Sequence, residues 1–94
     1  MTKEQLVLAL NAIGIKPYRY SILGSLNPDT FVVENWHGVW KVFYYSEKGE
    51  FIDENYFLTE NEAYEHLFKR FSDEEERINR SIRESKLMQQ KDLD

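Results

Sequence analysis

The sequence contains no cysteine, only two prolines and four glycines among its 94 residues, and no long apolar run. The absence of cysteine excludes a disulfide framework and thiolate chemistry. A membrane-spanning helix needs roughly 20 apolar residues, so we expect no membrane span, and Glu4 near the start is unsuited to a secretory signal. A chain of 94 residues suits one domain, and its low proline and glycine content predicts no linker. Without a secretory signal, we expect this domain to be cytoplasmic.

Basic residues are also in deficit, since 12 lysines and arginines stand against 17 acids and give a net charge of −5. An acidic domain repels phosphate backbones, which argues against direct nucleic-acid binding. The charge favours a basic protein partner or, more simply, good solubility.

Residues suited to catalysis or metal binding are sparse. The two histidines, His37 and His66, have no second ligand at metal-binding spacing, and no serine lies in a nucleophile-elbow pattern. The glycines Gly24, Gly38 and Gly49 are too dispersed to cradle a phosphate. We therefore predict no catalytic residue, no metal and no cofactor.

The first helix is well marked at both ends. Residues 2–13 open with a capping box, in which the side chains of Thr2 and Gln5 each satisfy a free backbone N–H. Gly14 can adopt the left-handed conformation that ends a helix, and Pro17 forbids its continuation.

A second helix is predicted from Thr59, whose capping box is closed three residues later by a glutamate. Ser72 and Glu75 match the same pattern, so we expect a kink or a restart there. The remaining segment, residues 72–94, has little apolar stripe. It is predicted to be a helical extension whose end, residues 85–94, frays.

Between the helices lie four β-prone segments separated by turn residues. His37 and Gly38 give the two-residue spacing of a tight hairpin, and the run Asp53-Glu54-Asn55 marks a bend or bulge. We predict an α+β domain: an N-terminal helix, a three- to four-stranded antiparallel meander and a long C-terminal helix packed on one sheet face, with residues 1–71 as the core. The predicted strands are Tyr18 to Ile22, Thr30 to Trp36, Val39 to Tyr45, and Glu50 to Leu58.

Acidic residues are concentrated in residues 47–62, where six acids stand against one lysine and are interleaved with Phe51, Ile52, Tyr56 and Phe57. Aromatic rings among charges of one sign suit a docking surface for a basic protein. The simpler interpretation is an amphipathic strand whose polar side meets water.

Strand 39–45 carries aromatic residues on both of its sides. Trp40 and Tyr44 point to one face of the sheet, and Phe43 and Tyr45 to the other. Helices can cover only one face of so small a sheet, so one of these pairs should lie partly in the open, together with Trp36. Such exposed rings favour an interaction site, for a partner or for a second copy of the chain.

Two segments resemble the small immunity proteins that lie beside bacterial polymorphic and contact-dependent toxins, particularly in Firmicutes: GVWKVFYYSEKG from Gly38 to Gly49 and LTENEAYEHL from Leu58 to Leu67. The upstream layout, Tyr18–Ile22 followed by Phe31–Glu34, is similar, and the likeness spans about residues 3–71. Proteins of this kind neutralise a toxin domain by binding it. The resemblance identifies neither the toxin nor any contact residue.

The leading hypothesis is therefore an immunity protein that binds and inhibits a cognate toxin domain, expected to be basic and of a class such as the nucleases. One alternative is a homo-oligomeric structural or regulatory module. Another is a small enzyme or ligand-binding domain, which requires a deep concave pocket lined by converging polar groups. The residues predicted to contact the partner are the acids Glu47, Glu50, Asp53 and Glu54 and the rings of Trp36, Trp40, Tyr44 and Tyr45.

Overall fold

Two helices and one four-stranded sheet make up the chain in a computed structural model, which describes the backbone of residues 1–92 and the side chains of residues 1–85. This arrangement confirms the predicted α+β class. A single 3₁₀ turn at Pro17–Arg19 precedes the sheet. The elements are α1 (Lys3–Ala12), β1 (Tyr20–Ser21), β2 (Thr30–Trp36), β3 (Val39–Tyr45), β4 (Phe51–Phe57) and α2 (Glu60–Asp92).

The caps of α1 are those that the sequence predicts. The hydroxyl of Thr2 accepts from the backbone N–H of Gln5 at 3.2 Å, and the Gln5 side chain accepts from the Thr2 N–H at 2.8 Å. At the other end Gly14 has a φ of 82°, and Ile15 N–H reaches back to the Leu10 carbonyl at 2.9 Å. These bonds satisfy backbone groups that a helix end would otherwise leave unpaired.

The hairpin joining β2 and β3 turns on His37 and Gly38, with φ values of 51° and 85°. Two successive positive φ angles match the right-handed twist of the flanking strands. Opposite β3, strand β4 contains a bulge, because the pairing shifts between Val42 and Tyr44 and Asp53 has a φ of 52°. The bend predicted at Asp53 is therefore present as an extra residue in the edge strand.

The sheet order is β1-β2-β3-β4, and the sheet is mixed rather than wholly antiparallel. β1 pairs in parallel with β2, whereas β2–β3 and β3–β4 are antiparallel. The physical reason is the connection: residues 22–29 carry the chain back to the end from which β1 started. The first predicted strand is also shorter than expected, since Pro17 fixes the 3₁₀ turn before it.

Helix α2 starts at the predicted cap, where Thr59 accepts from the N–H of Glu62 at 3.2 Å. It continues unbroken through Ser72, so the restart expected there does not occur. No proline or glycine lies in residues 59–94 to interrupt the helix. The backbone N–H groups after Ser72 therefore keep their partners within the helix, and a serine cap has none to accept from. The fraying predicted for residues 85–94 stays a prediction: α2 is assigned to Asp92, and residues 93–94, with the side chains from residue 86 onward, lie outside the described part of the chain.

Both helices pack on one side of the sheet and enclose the core there. The buried side chains come from α1 and the residue Ile15 that follows it, from the central strands and from the first three turns of α2. Phe71 is the last buried residue of α2, and every side chain from residue 76 to residue 85 is exposed. The core consists of Leu6, Leu10, Ile15, Val33, Val42, Ala63, Tyr64, Leu67 and Phe71.

Candidate partner-binding site

One side of the sheet has no described helix over it. Val33 and Val42 pair across β2 and β3 and pack in the core, so their neighbours Val32 and Phe43 point to the opposite side. We call this side the open face. It comprises Thr30, Val32, Glu34 and Trp36 of β2, Val39, Lys41, Phe43 and Tyr45 of β3, and Phe51, Glu54 and Tyr56 of β4.

The open face carries apolar and aromatic side chains with one cation among them. Val32 and Phe43 are fully buried although no described helix covers them, and the Phe51 ring and the Lys41 ammonium lie against the Phe43 ring. Three rings of the face are about half exposed: Trp36 and Tyr56 at 58% each and Phe51 at 50%. Exposed aromatic rings grouped on one side of a sheet are a feature of protein–protein contact sites.

The rings of the open face are held in defined positions. Phe51 contacts Phe43 and Tyr45, with ring centroids 5.2 and 5.4 Å apart. Lys41 lies across the face, its Nζ 5.7 Å from the Phe43 centroid and 5.8 Å from that of Tyr56. Because these groups are already ordered, a partner would spend little conformational entropy in fixing them.

Glu54 and Tyr56 give the open face a polar margin. The Tyr56 hydroxyl donates to the Glu54 carboxylate at 2.6 Å, and this hydrogen bond raises the tyrosine pKa. Tyr56 therefore stays protonated at neutral pH, and its hydrogen bond holds the Glu54 carboxylate at the edge of the sheet beside exposed rings.

A cleft lies on the helix-covered side, where the sheet ends beneath α2. It has a volume of about 770 Å³, is open to solvent and contains both charged and aromatic side chains. Converging polar groups are what the ligand-binding alternative requires, but the cleft is shallow rather than enclosed. It is lined by Tyr18, Arg19, Asp29, Phe31, Tyr44, Ile52, Asp53, Arg70 and Glu74.

Two arginines in the cleft are paired within the chain. Arg19 lies 3.4 Å from the carboxylate of Glu74, and Arg70 lies 3.4 Å from that of Asp53. Each guanidinium also stacks on a ring: Arg70 is 4.8 Å from the Phe31 centroid, and Arg19 is 5.3 Å from that of Phe71. Both cations are thus neutralised and held in place.

Asp29 is the carboxylate of the cleft that no arginine neutralises. It accepts a hydrogen bond from the Tyr44 hydroxyl at 2.6 Å, and its backbone is left-handed with a φ of 55°. This hydrogen bond, followed by burial and by the charges of Asp29 and Glu47, raises the Tyr44 pKa. The opposing influence of Arg19 is smaller. Tyr44 therefore stays protonated at neutral pH.

The eight residues predicted to contact a partner do not form one surface. Trp36, Tyr45 and Glu54 belong to the open face. Tyr44 and Asp53 line the cleft on the other side of the sheet. The remaining three lie elsewhere: Trp40 packs against Tyr64 on the covered side, and Glu47 and Glu50 are exposed in the turn between β3 and β4.

The acidic segment is divided in a similar way. The bulge places Asp53 on the helix side, where it pairs with Arg70, and Glu54 beside Tyr56. Glu60 lies in the first turn of α2, where a negative charge complements the helix dipole. Only part of the acidic segment is therefore adjacent to the open face.

Two residues of the open face, Phe51 and Tyr56, were not among the predicted contacts, although both alternate with acids in the sequence. The alternation of β4 could have identified them, but the bulge at Asp53 reverses the two sides midway along the strand. The cleft had no comparable signal in the sequence, because residues from five separate segments line it.

Two ionisable side chains, one buried and one half-buried, lie on the helix-covered side. Burial, reinforced by the carboxylate of Glu60, raises the Tyr64 pKa to about 12. His66 stacks on Phe57 at 5.0 Å, and its Nε2 is buried with no hydrogen-bond partner among the described residues. Burial, with the charges of Arg70 and then Lys69, lowers the His66 pKa.

Among residues 1–85, no three histidine, aspartate or glutamate side chains come close enough together to hold a metal ion. No helix in the described range is long and apolar enough to cross a membrane. Comparisons of the chain with protein-family models, with curated proteins and with solved structures found no match. The resemblance to immunity proteins therefore stays a prediction that rests on the quoted segments.

Proposed function

We propose that the chain is a cytoplasmic immunity protein, which binds a bacterial toxin domain and neutralises it by contact. The observation that carries the proposal is the open face. Its exposed rings, Trp36, Phe51 and Tyr56, lie on the same side of the sheet as the buried Val32 and Phe43, and no described helix covers that side. Covering these rings removes apolar surface from water, which is the main source of affinity in protein–protein association.

The size of the open face sets the extent of the interface. Three strands of seven residues each measure roughly 23 by 14 Å, or about 300 Å² in projection. A stable interface buries about 800 Å² on each partner. The open face therefore supplies the centre of the interface, and the acidic β3–β4 turn with Glu47 and Glu50 supplies part of its rim.

The charge of the chain indicates a basic partner. Its net charge of −5 attracts a cationic domain over distances of about a Debye length, roughly 8 Å at physiological salt. Toxin domains that act on nucleic acid are basic for the same electrostatic reason. A nuclease domain is thus the partner class that combines best with this surface.

The decisive experiment is co-expression with the product of the reading frame directly upstream. We expect a tagged chain to capture that product at a one-to-one ratio and to restore growth of cells that express it. If the upstream product is neither toxic nor retained, the proposed function is wrong.

Substitutions then locate the interface. The double variant Trp36→Ala/Tyr56→Ala should lose capture and protection, since truncating aromatic anchors at an interface centre costs at least about 2 kcal/mol each. Leu8→Ala is the matched control, because Leu8 is 69% exposed on α1 and lies on the other side of the molecule. If the control loses as much binding as the double variant, the open face is not the site. A salt-insensitive dimer of the isolated chain that disappears in the double variant would instead favour self-association.

A further inference from the structure

The cleft has a negative site that the chain itself does not fill. The two arginine–carboxylate pairs, Arg19 with Glu74 and Arg70 with Asp53, leave Asp29 as the unneutralised charge of the lining. Tyr44 donates to one oxygen of that carboxylate, and no donor among residues 1–85 is hydrogen-bonded to the other. A hydrogen-bond acceptor is thus available beside aromatic rings.

The chemistry around Asp29 matches that of a guanidinium group. A guanidinium binds a carboxylate through its N–H donors and stacks its flat face on an aromatic ring. The cleft already holds two arginines in this manner, Arg70 on Phe31 and Arg19 on Phe71. Tyr18, which is 77% exposed, and Tyr44 provide further rings in the lining of the same cleft.

The cleft is close to the open face because the two surfaces share one end of the sheet. Asp29, Tyr44 and Ile52 line the cleft, and each is followed or preceded in the chain by a residue of the open face. Those neighbours are Thr30, Tyr45 and Phe51. A loop of a protein seated on the open face can therefore extend around the sheet end into the cleft.

We infer that this cleft is the socket for an arginine side chain of the partner, bound by the Asp29 carboxylate between the rings of Tyr18 and Tyr44. The inference rests on the proposed function for the source of the arginine, although the socket can be tested without the partner. Tyr44 stays protonated and orients Asp29, and Glu47 adds negative potential nearby. An arginine bound here would neutralise Asp29, the carboxylate of the cleft that its two lining arginines leave unpaired.

The test uses N-acetyl-L-arginine amide as the probe, titrated into the ¹⁵N-labelled chain and followed by chemical shifts. We expect saturable, millimolar binding, with the largest shifts at Asp29, Tyr44 and Tyr18, and a loss of affinity as salt is raised. The citrulline analogue has nearly the same shape without the charge and should bind at least about tenfold more weakly, as expected for a lost charged hydrogen bond.

The variant Asp29→Asn removes the charge and keeps the fold, because asparagine also tolerates the left-handed backbone at this position. It should abolish saturable binding of the probe. Glu84→Gln makes the same chemical change at an exposed position of α2 outside the cleft and should bind like the wild type.

Three results would overturn the inference: no saturable binding, equal binding of the citrulline analogue, or unchanged binding by Asp29→Asn. None of them bears on capture of the upstream product through the open face. Conversely, a chain that binds the probe but captures no upstream product retains the socket and loses the proposed function.

Discussion

The two faces of the sheet are built from similar side chains, yet they differ in what completes them. On the covered side, α1 and α2 bury Val33, Val42 and the core residues of the helices. On the open side, Val32 and Phe43 are buried with no described helix over them, and Phe51 and Tyr56 on the same side remain half exposed. The covered face thus serves folding, and the open face retains apolar surface that a second polypeptide can bury.

The largest effect should come from the covered face. Phe71→Ala should lower the free energy of unfolding by about 3–5 kcal/mol, because the Phe71 ring is fully buried and packs on Phe31 at 4.9 Å. Urea titration measures the loss, with Phe71→Leu as the control expected to cost less than about 1.5 kcal/mol. If Phe71→Ala lowers the free energy of unfolding by as little as Phe71→Leu does, the neighbouring side chains repack freely into the space left by the ring.

A smaller loss is expected at the centre of the open face. Phe43→Ala should cost about 2–3 kcal/mol: the ring is fully buried, but its covering is a single layer that can settle into the space left. The same urea titration compares it with Phe71→Ala. A cost as large as that of Phe71 would mean that the open face is a second folding core rather than a surface held for a partner.

Acid should weaken the covered side through His66. Its pKa in the folded chain lies below the ordinary value of 6.5, so the unfolded chain takes up the proton first. The contribution of neutral His66 is complete above that ordinary value and is lost as the pH falls through the folded pKa. We expect unfolding experiments between pH 7.5 and 5 (a range set by the histidine pKa of about 6.5) to show a steeper decline for the wild type than for His66→Phe. Parallel curves would contradict this.

The smallest effect on stability should come from the edge of the open face. Tyr56→Ala removes a ring that is 58% exposed and should change the free energy of unfolding by about 0.5 kcal/mol or less. The same substitution should strongly weaken capture of the partner. A melting temperature that falls as far as in Phe43→Ala would remove the distinction between folding and binding residues on this face.

Much of the fold could be predicted from local patterns. The bounds of β2 and β3 follow from their β-prone runs and from the turn at His37 and Gly38, and both helix starts follow from capping boxes. The direction of β1 could not be predicted, because a two-residue strand has too few side chains to specify its pairing.

The sites were harder to predict than the fold. Strand β3 has rings on both sides, so its pattern could not decide whether Trp40 and Tyr44 or Phe43 and Tyr45 would lie under the helices. The structure places Trp40 and Tyr44 on the covered side. The cleft escaped prediction because only the three-dimensional fold brings Arg19, Asp29 and Arg70 together.

The single extra residue in β4 has a consequence for self-association. Strand β4 is the long outer strand of the sheet, and its unpaired backbone groups could otherwise recruit the same strand of another molecule. The bulge at Asp53 interrupts the regular spacing of those groups, and Glu54 beside it adds a charge. Two such edges meeting would bring like charges together along a mismatched ladder. The protein can therefore expose aromatic side chains on the open face while its edge strand β4 disfavours assembly into fibres.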